Sequence, residues 1–275
     1  MNSEASGQKL VDDVLVEDGL NIATKGKTSG IIIRLLGAVA IRIHTTKMKE
    51  LYPRLRRLGT DRQFTDLDFI AYGKQRTGVH RLFTKELGYI VDKPFMAYFG
   101  ENRFRYHHPK NLYDVDVFFD KLVFSHDLFL GSSPEKGRLE LDFPTIPLAD
   151  LVLEKLQIHE LNEKDVKDLV VLFREHDTAV GEEQETINLD RIAKVLGNDW
   201  GLWYDGKTNL AKTLSFAEKY TAQGLLTKED LEDVTRKVNR VLESIELEPK
   251  TKDWQRRAKT GTAKRWWREV EELVR

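Results

Sequence analysis

Asp66-Leu67-Asp68-Phe69 is the stretch whose residue types and spacing point most directly to chemistry. On a strand, successive side chains face opposite sides, so Asp66 and Asp68 share one face while Leu67 and Phe69 share the other. Two carboxylates whose Cα atoms lie roughly 6.6 Å apart along a strand repel one another unless something positive lies between them. Magnesium binds through one or two carboxylates with water and substrate phosphates, which makes the pair a candidate magnesium seat. Further on, Tyr113 to Asp120 alternates, so that Asp114, Asp116 and Phe118 point one way and Val115, Val117 and Phe119 the other. Laid beside the first strand, either Asp114 or Asp116 supplies a third acid, to complete a metal shell or to deprotonate an attacking hydroxyl.

Such residues need elements that hold them. Ile31, Ile32, Ile33, Leu35 and Leu36 read as a buried strand stopping at Gly37, and Ala40, Ile41 and Ile43 begin a helix. Gly37 then marks a strand-to-helix turn at which a phosphate can approach the backbone and the helix N-terminus. Lys155 lies on the same side as the helical stripe Leu148, Leu151, Val152, Leu156 and His159, where it either snorkels to water or reaches into a cleft. Asp165 and Asp168 border the stripe Val166, Leu169, Val170 and Phe173 of the next helix, one turn apart.

At these positions the chain resembles the nucleotidyltransferase-fold superfamily, in particular the branch of AbiEii-type toxin nucleotidyltransferases. Gly37, Ala40, Ile41, Arg42, Arg62, Thr65, Asp66, Asp68 and Phe69 fit the pattern of that branch, as do Lys155-Leu156 and the run Lys164-Asp165-Val166-Lys167-Asp168-Leu169. Ala38 stands where the family has Gly or Ser, and Val39 where Thr is common. The resemblance covers roughly Ile31 to His176. It implies Mg2+ on Asp66, Asp68 and Asp116, with Asp116 favoured over Asp114 as third ligand or base. It also implies phosphates seated at Gly37 and Ala38, with Lys155, Arg42 and Asp165 on the nucleotide. The reaction implied is transfer of a nucleotidyl group from a nucleoside triphosphate to a hydroxyl of RNA such as tRNA, of a protein or of a small molecule, in a toxin with a cognate antitoxin protein.

The elements in chain order predict an α/β (α+β) fold, a mixed sheet followed by a helical bundle. The expected pieces are an N-terminal tail and helix over 1–30, a catalytic domain over 31–146 and a helical domain over 147–275. Met1 to Lys9 reads as a disordered tail, and Ala23 to Gly30 as a flexible loop. Gly26-Lys27-Thr28 is not a phosphate-binding Walker loop, since the upstream glycine is missing and a strand rather than a helix follows. Tyr52-Pro53 reads as a chain break, and Val79, Leu82, Phe83 and Leu87 as a helix ending near Gly88. Strands are expected at Phe95 to Phe99, Arg103 to His107, Tyr113 to Phe118 and Arg138 to Phe143. Helices are expected over Leu189 to Leu196, Leu202 to Tyr220, Lys228 to Ile245 and Arg265 to Val274, with Thr227 and Asp230 resembling a capping box.

With 275 residues, 40% of them hydrophobic, the chain can bury a sizeable core; without cysteine it can form neither a disulfide nor a zinc-thiolate site. No apolar run approaches the roughly 18 residues of a membrane span, so a soluble, cytoplasmic protein is expected. The net charge of -1 conceals basic segments at Arg42 to Arg62 and Lys250 to Arg268. In the second, Trp254, Trp266 and Trp267 interleave with arginines, as in contacts to RNA bases, but packing of a terminal helix on the bundle explains them better. His107 and His108 face opposite sides of one strand and make a poor metal pair.

Overall fold

The computed structural model describes residues 2–60 and 62–269. In chain order its elements are α1 (Asn2–Thr28), β1 (Ile33–Leu36), α2 (Gly37–His44), α3 (Leu51–Leu55), β2 (Asp66–Ala71), α4 (Arg76–Arg81), β3 (Ile90–Val91), α5 (Lys93–Phe99), β4 (Arg103–His107) and β5 (Asp114–Phe119). There follow β6 (Lys121–Val123), β7 (Asp127–Phe129), α6 (Leu148–Leu156), α7 (Glu163–Glu175), β8 (Asp177–Ala179), β9 (Thr186–Asn188), α8 (Leu189–Asn198), α9 (Trp200–Ala222), α10 (Lys228–Leu247) and α11 (Lys252–Ala258). The fold is α+β, with a mixed sheet and a helical C-terminal region. Two compact units divide the chain: residues 1–46, 56–122 and 129–147 form one, and 47–55, 123–128 and 148–275 the other.

In the first unit the sheet runs β1-β2-β5-β4-β3, with β2 parallel to β5 and the other neighbours on this path antiparallel. Alternation decides its two faces. Leu35, Leu67, Phe69, Tyr106, Val115 and Val117 are buried on one. Over this apolar face lies α1, whose Gly19 approaches Leu35 and Leu67 so closely that a methyl there would meet Leu35 Cδ2 at 3.1 Å. Phe83, just after α4, stacks on Tyr106 with ring centroids 4.5 Å apart. Each large side chain so buried contributes roughly 1.5–3 kcal/mol. That leaves the opposite face for the polar set.

Several expected elements take a different form. Ala23 to Thr28 of the expected loop belong to α1, and Gly26 serves packing rather than flexibility, because a methyl there would lie 2.4 Å from Ile33 Cγ2. The same helix replaces the disordered tail expected over the first nine residues, Met1 itself lying outside the described residues. Phe95 to Phe99 is helix, not strand: the Asp92 carboxylate accepts the Phe95 N–H at 3.0 Å and Pro94 occupies the first turn, so capping overrides the aromatic strand preference. Arg138 to Phe143 forms turns, since the Leu139 N–H goes to Tyr72 Oη at 3.2 Å and the Leu141 N–H to the Arg138 carbonyl, not to a ladder. Tyr52 and Pro53 sit within the short α3.

In the second unit α6 is buried along its whole length and touches α7, α8, α9 and β9, so it is the core helix of the bundle. It ends at Leu156, which leaves His159 outside the expected stripe. Asn162, Asn188, Asp199 and Thr227 cap α7, α8, α9 and α10, and Thr227 with Asp230 forms a complete capping box. A two-stranded parallel pair, β8 and β9, was not expected. Arg265 to Glu269 contains no helix, and Val270 to Val274 of the expected terminal helix lies outside the described residues. Trp266 packs nonetheless on Trp200, Tyr204 and His159, and Trp267 stacks on His159 at 3.7 Å.

Candidate functional site

Asp66 and Asp68 share the polar face of the first unit's sheet, in register with Asp114 and Asp116 on β5. The row through Asp68 reads Leu36, Asp68, Asp116, Arg105 across four strands, and the row through Asp66 reads Asp66, Asp114, His107. Strand neighbours lie about 4.8 Å apart, so the aspartates form a two-by-two array. Alternation turns each pair to this face, because Leu67 and Val115 must face the core, and the β2–β5 register sets the two pairs side by side.

Gly37 closes the array on one side. Its φ of 73° is accessible to glycine, and a Cβ there would stand 2.9 Å from Asp68 Oδ2. The start of α2 therefore lies directly against the Asp68 carboxylate. Ala38 is the second residue of α2, and Arg42, one turn later, places Nη1 3.2 Å from the Thr45 carbonyl at the end of its own helix. The loop before Asp66 is tied down from α1: the Asp12 carboxylate accepts the N–H groups of Gln63 at 2.9 Å and Phe64 at 3.3 Å. Burial raises the Asp12 carboxyl above the ordinary range, an effect those hydrogen bonds and Arg62 only partly offset. Thr65 Oγ1 donates to Asp66 Oδ1 at 2.8 Å.

Asp116, at 0% exposure, is held differently from the expected third ligand. Arg105 reaches Oδ1 through Nε at 2.9 Å and Oδ2 through Nη2 at 3.2 Å, and Arg103 Nη2 also donates to Oδ2. His107 Nδ1 lies 2.7 Å from Asp114 Oδ1. Among the described residues no three Asp, Glu or His side chains are gathered as a metal cluster would be. The donor set thus does not fit a three-carboxylate centre on Asp66, Asp68 and Asp116, because both Asp116 oxygens face guanidinium groups. Asp66 and Asp68, both partly exposed, do fit an ion that takes its other ligands from water and phosphate.

Lys155 and Asp165 belong to the second unit. Lys155 is 5% exposed, so it does not snorkel, and its Nζ lies 3.2 Å from Glu154, 3.1 Å from Asp165 and 3.2 Å from Asp168. Tyr52 Oη donates to Asp168 Oδ1 at 3.0 Å. Burying an ammonium requires such partners, and here they come from its own helix and from α7. Asp165 also sits at the third position of the Asn162-capped turn, where its N–H donates to Asn162 Oδ1 at 3.1 Å.

Sequence reasoning missed Arg103 and Arg105, although Arg-x-Arg on a strand beside Asp-x-Asp carries the same two-residue period and was legible in that form. It also missed Asp205 of α9, only 2% exposed, which accepts from His126 Nε2 at 2.7 Å, His159 Nδ1 at 2.9 Å and Trp266 Nε1 at 3.1 Å. No local signal marks that cluster, whose members come from distant stretches of chain.

Comparisons of the chain with protein families, with curated proteins and with solved structures find no match.

Proposed function

We propose that this chain is a nucleotidyltransferase, moving a nucleotidyl group from a nucleoside triphosphate to an acceptor hydroxyl of RNA, protein or a small molecule. The observation that supports it best is the placement of Gly37 and the α2 N-terminus against Asp68, with Asp66 beside it on the same face. In this reading the acceptor hydroxyl attacks the α-phosphorus and releases its proton to solvent water, the bond to the bridging oxygen breaks, and pyrophosphate leaves. Asp66 and Asp68 hold Mg2+, which when bound draws negative charge off the reacting phosphate. Gly37 has no Cβ, which lets the phosphate chain approach the backbone, and the positive end of the α2 dipole favours its charge. As a toxin, the chain would pair with an antitoxin protein and take tRNA as acceptor.

A second reading, a nucleotide- or partner-binding protein without turnover, draws on Ala38 and Val39 and on the guanidinium pairing of Asp116. The test is transfer of label from each α-labelled nucleoside triphosphate, with magnesium, to total tRNA, to cell protein and to the chain itself. Labelled product that vanishes in Asp66→Ala supports the transferase. Triphosphate bound without any labelled product favours the second reading. Growth arrest on expression, lost in the same variant and relieved by a co-expressed partner, distinguishes a toxin from a housekeeping enzyme. Among the described residues no helix is long and apolar enough to cross a membrane.

A further inference from the structure

Asp116 is fully buried in the sheet, and a single bidentate guanidinium, Arg105, already balances its charge. A second guanidinium on the same carboxylate is more than burial requires. Arg103 retains 25% side-chain exposure, and its buried Nε has no acceptor among the described residues. Both guanidiniums are seated on aromatic rings. Arg105 lies 4.1 Å and Arg103 5.3 Å from the Phe95 ring centre, and Arg103 lies 4.8 Å from that of Phe118. Through the register Arg105-Asp116-Asp68, these cations share the sheet face of Asp66 and Asp68. Planar, fixed guanidinium forks match phosphate oxygens.

We propose that Asp116 is a positioning residue that holds Arg103 and Arg105 as a binding site for the phosphate tail of the nucleoside triphosphate, and that it is neither a metal ligand nor a base. The identity of the ligand rests on the nucleotidyl-transfer reading; the anion site itself does not.

The experiment measures two equilibria on the full chain, neither of which needs turnover. Inorganic triphosphate is titrated by calorimetry in EDTA, and Mn2+ binding in the presence of triphosphate is followed by its electron paramagnetic resonance signal. Arg103→Gln should weaken metal-free triphosphate binding about tenfold or more, the loss expected for a hydrogen bond to a charged group. Asp116→Asn should leave Mn2+ affinity within about twofold of the parent, while Asp68→Asn lowers it at least tenfold. Triphosphate binding unchanged by Arg103→Gln, or a fall in Mn2+ affinity in Asp116→Asn equal to that in Asp68→Asn, overturns the proposal. If Asp116→Asn does not fold, Arg103→Gln and Arg103→Lys decide, since a lysine restores charge but not the fork and should recover only part of the affinity. Label transfer that persists while Arg103→Gln binds triphosphate normally refutes this site and leaves the transferase standing. Metal-free binding through Arg103 without any transfer has the reverse meaning.

Discussion

Replacing Asp205 should destabilise the helical unit strongly. The side chain is buried and accepts hydrogen bonds from His126, His159 and Trp266 at 2.7, 2.9 and 3.1 Å. Each bond to a charged group is worth roughly 1.5–3 kcal/mol, but the three share one carboxylate and do not add. Breaking a buried charge network of this kind costs about 3–5 kcal/mol, so Asp205→Ala should lower the melting temperature by about 10 °C at roughly 3 °C per kcal/mol. The pH dependence has a definite sign. Burial alone pushes the Asp205 carboxyl up, yet the hydrogen bonds from His126, His159 and Trp266 and the charge of His159 outweigh it and hold the group below its ordinary value of 3.8. The unfolded chain therefore takes up the proton first as pH falls. The contribution of Asp205 is complete above the unfolded value and disappears as pH drops through the folded one. Thermal melts of the parent and of Asp205→Asn, followed by circular dichroism from pH 7 down to about pH 3, should show a gap that is widest near neutrality and narrows below about pH 4. Melting temperatures within a degree of each other at pH 7, or a gap indifferent to acid, would refute the reasoning.

Other consequences follow from single positions. Gly37→Ala forces a left-handed backbone on a residue with a Cβ and puts that atom 2.9 Å from Asp68 Oδ2. It should cost about 1–2 kcal/mol in a urea melt and displace the carboxylate, lowering any metal-dependent transfer more than stability alone explains. Asp12→Ala releases the Gln63 and Phe64 N–H groups, and hydrogen exchange at those two amides should accelerate while the β2 amides stay protected. Lys155→Met removes an ammonium that lies within 3.2 Å of Glu154, Asp165 and Asp168. It should destabilise the fold by about 3–5 kcal/mol at pH 7 in a urea melt. A variant as stable as the parent would show that Lys155 is not needed to neutralise them.

Much of this molecule follows from periodicity that a short window of sequence contains. The two-residue alternation of Asp66-Leu67-Asp68-Phe69 and of Asp114 to Phe119 fixes which side chains share a face, because an extended chain has no other way to bury Leu67 and Val115. The three-and-four spacing of α10, with Thr227 and Asp230 at its start, likewise determines a capped amphipathic helix. Tertiary structure decided what local patterns underdetermine. Phe95 to Phe99 is not such a case, since the Asp92 cap and Pro94 that make it a helix despite its strand-like composition lie beside it in the sequence. The identity of the partners around a buried charge is non-local. Asp116 meets Arg103 and Arg105 only because β4 lies beside β5 in that register, and Lys155 meets Asp165 and Asp168 because α6 packs on α7. A sequence records that a charge lies on a face bound for burial. Which opposite charge makes that burial tolerable depends on strand order and helix packing, and these are set by contacts between distant parts of the chain.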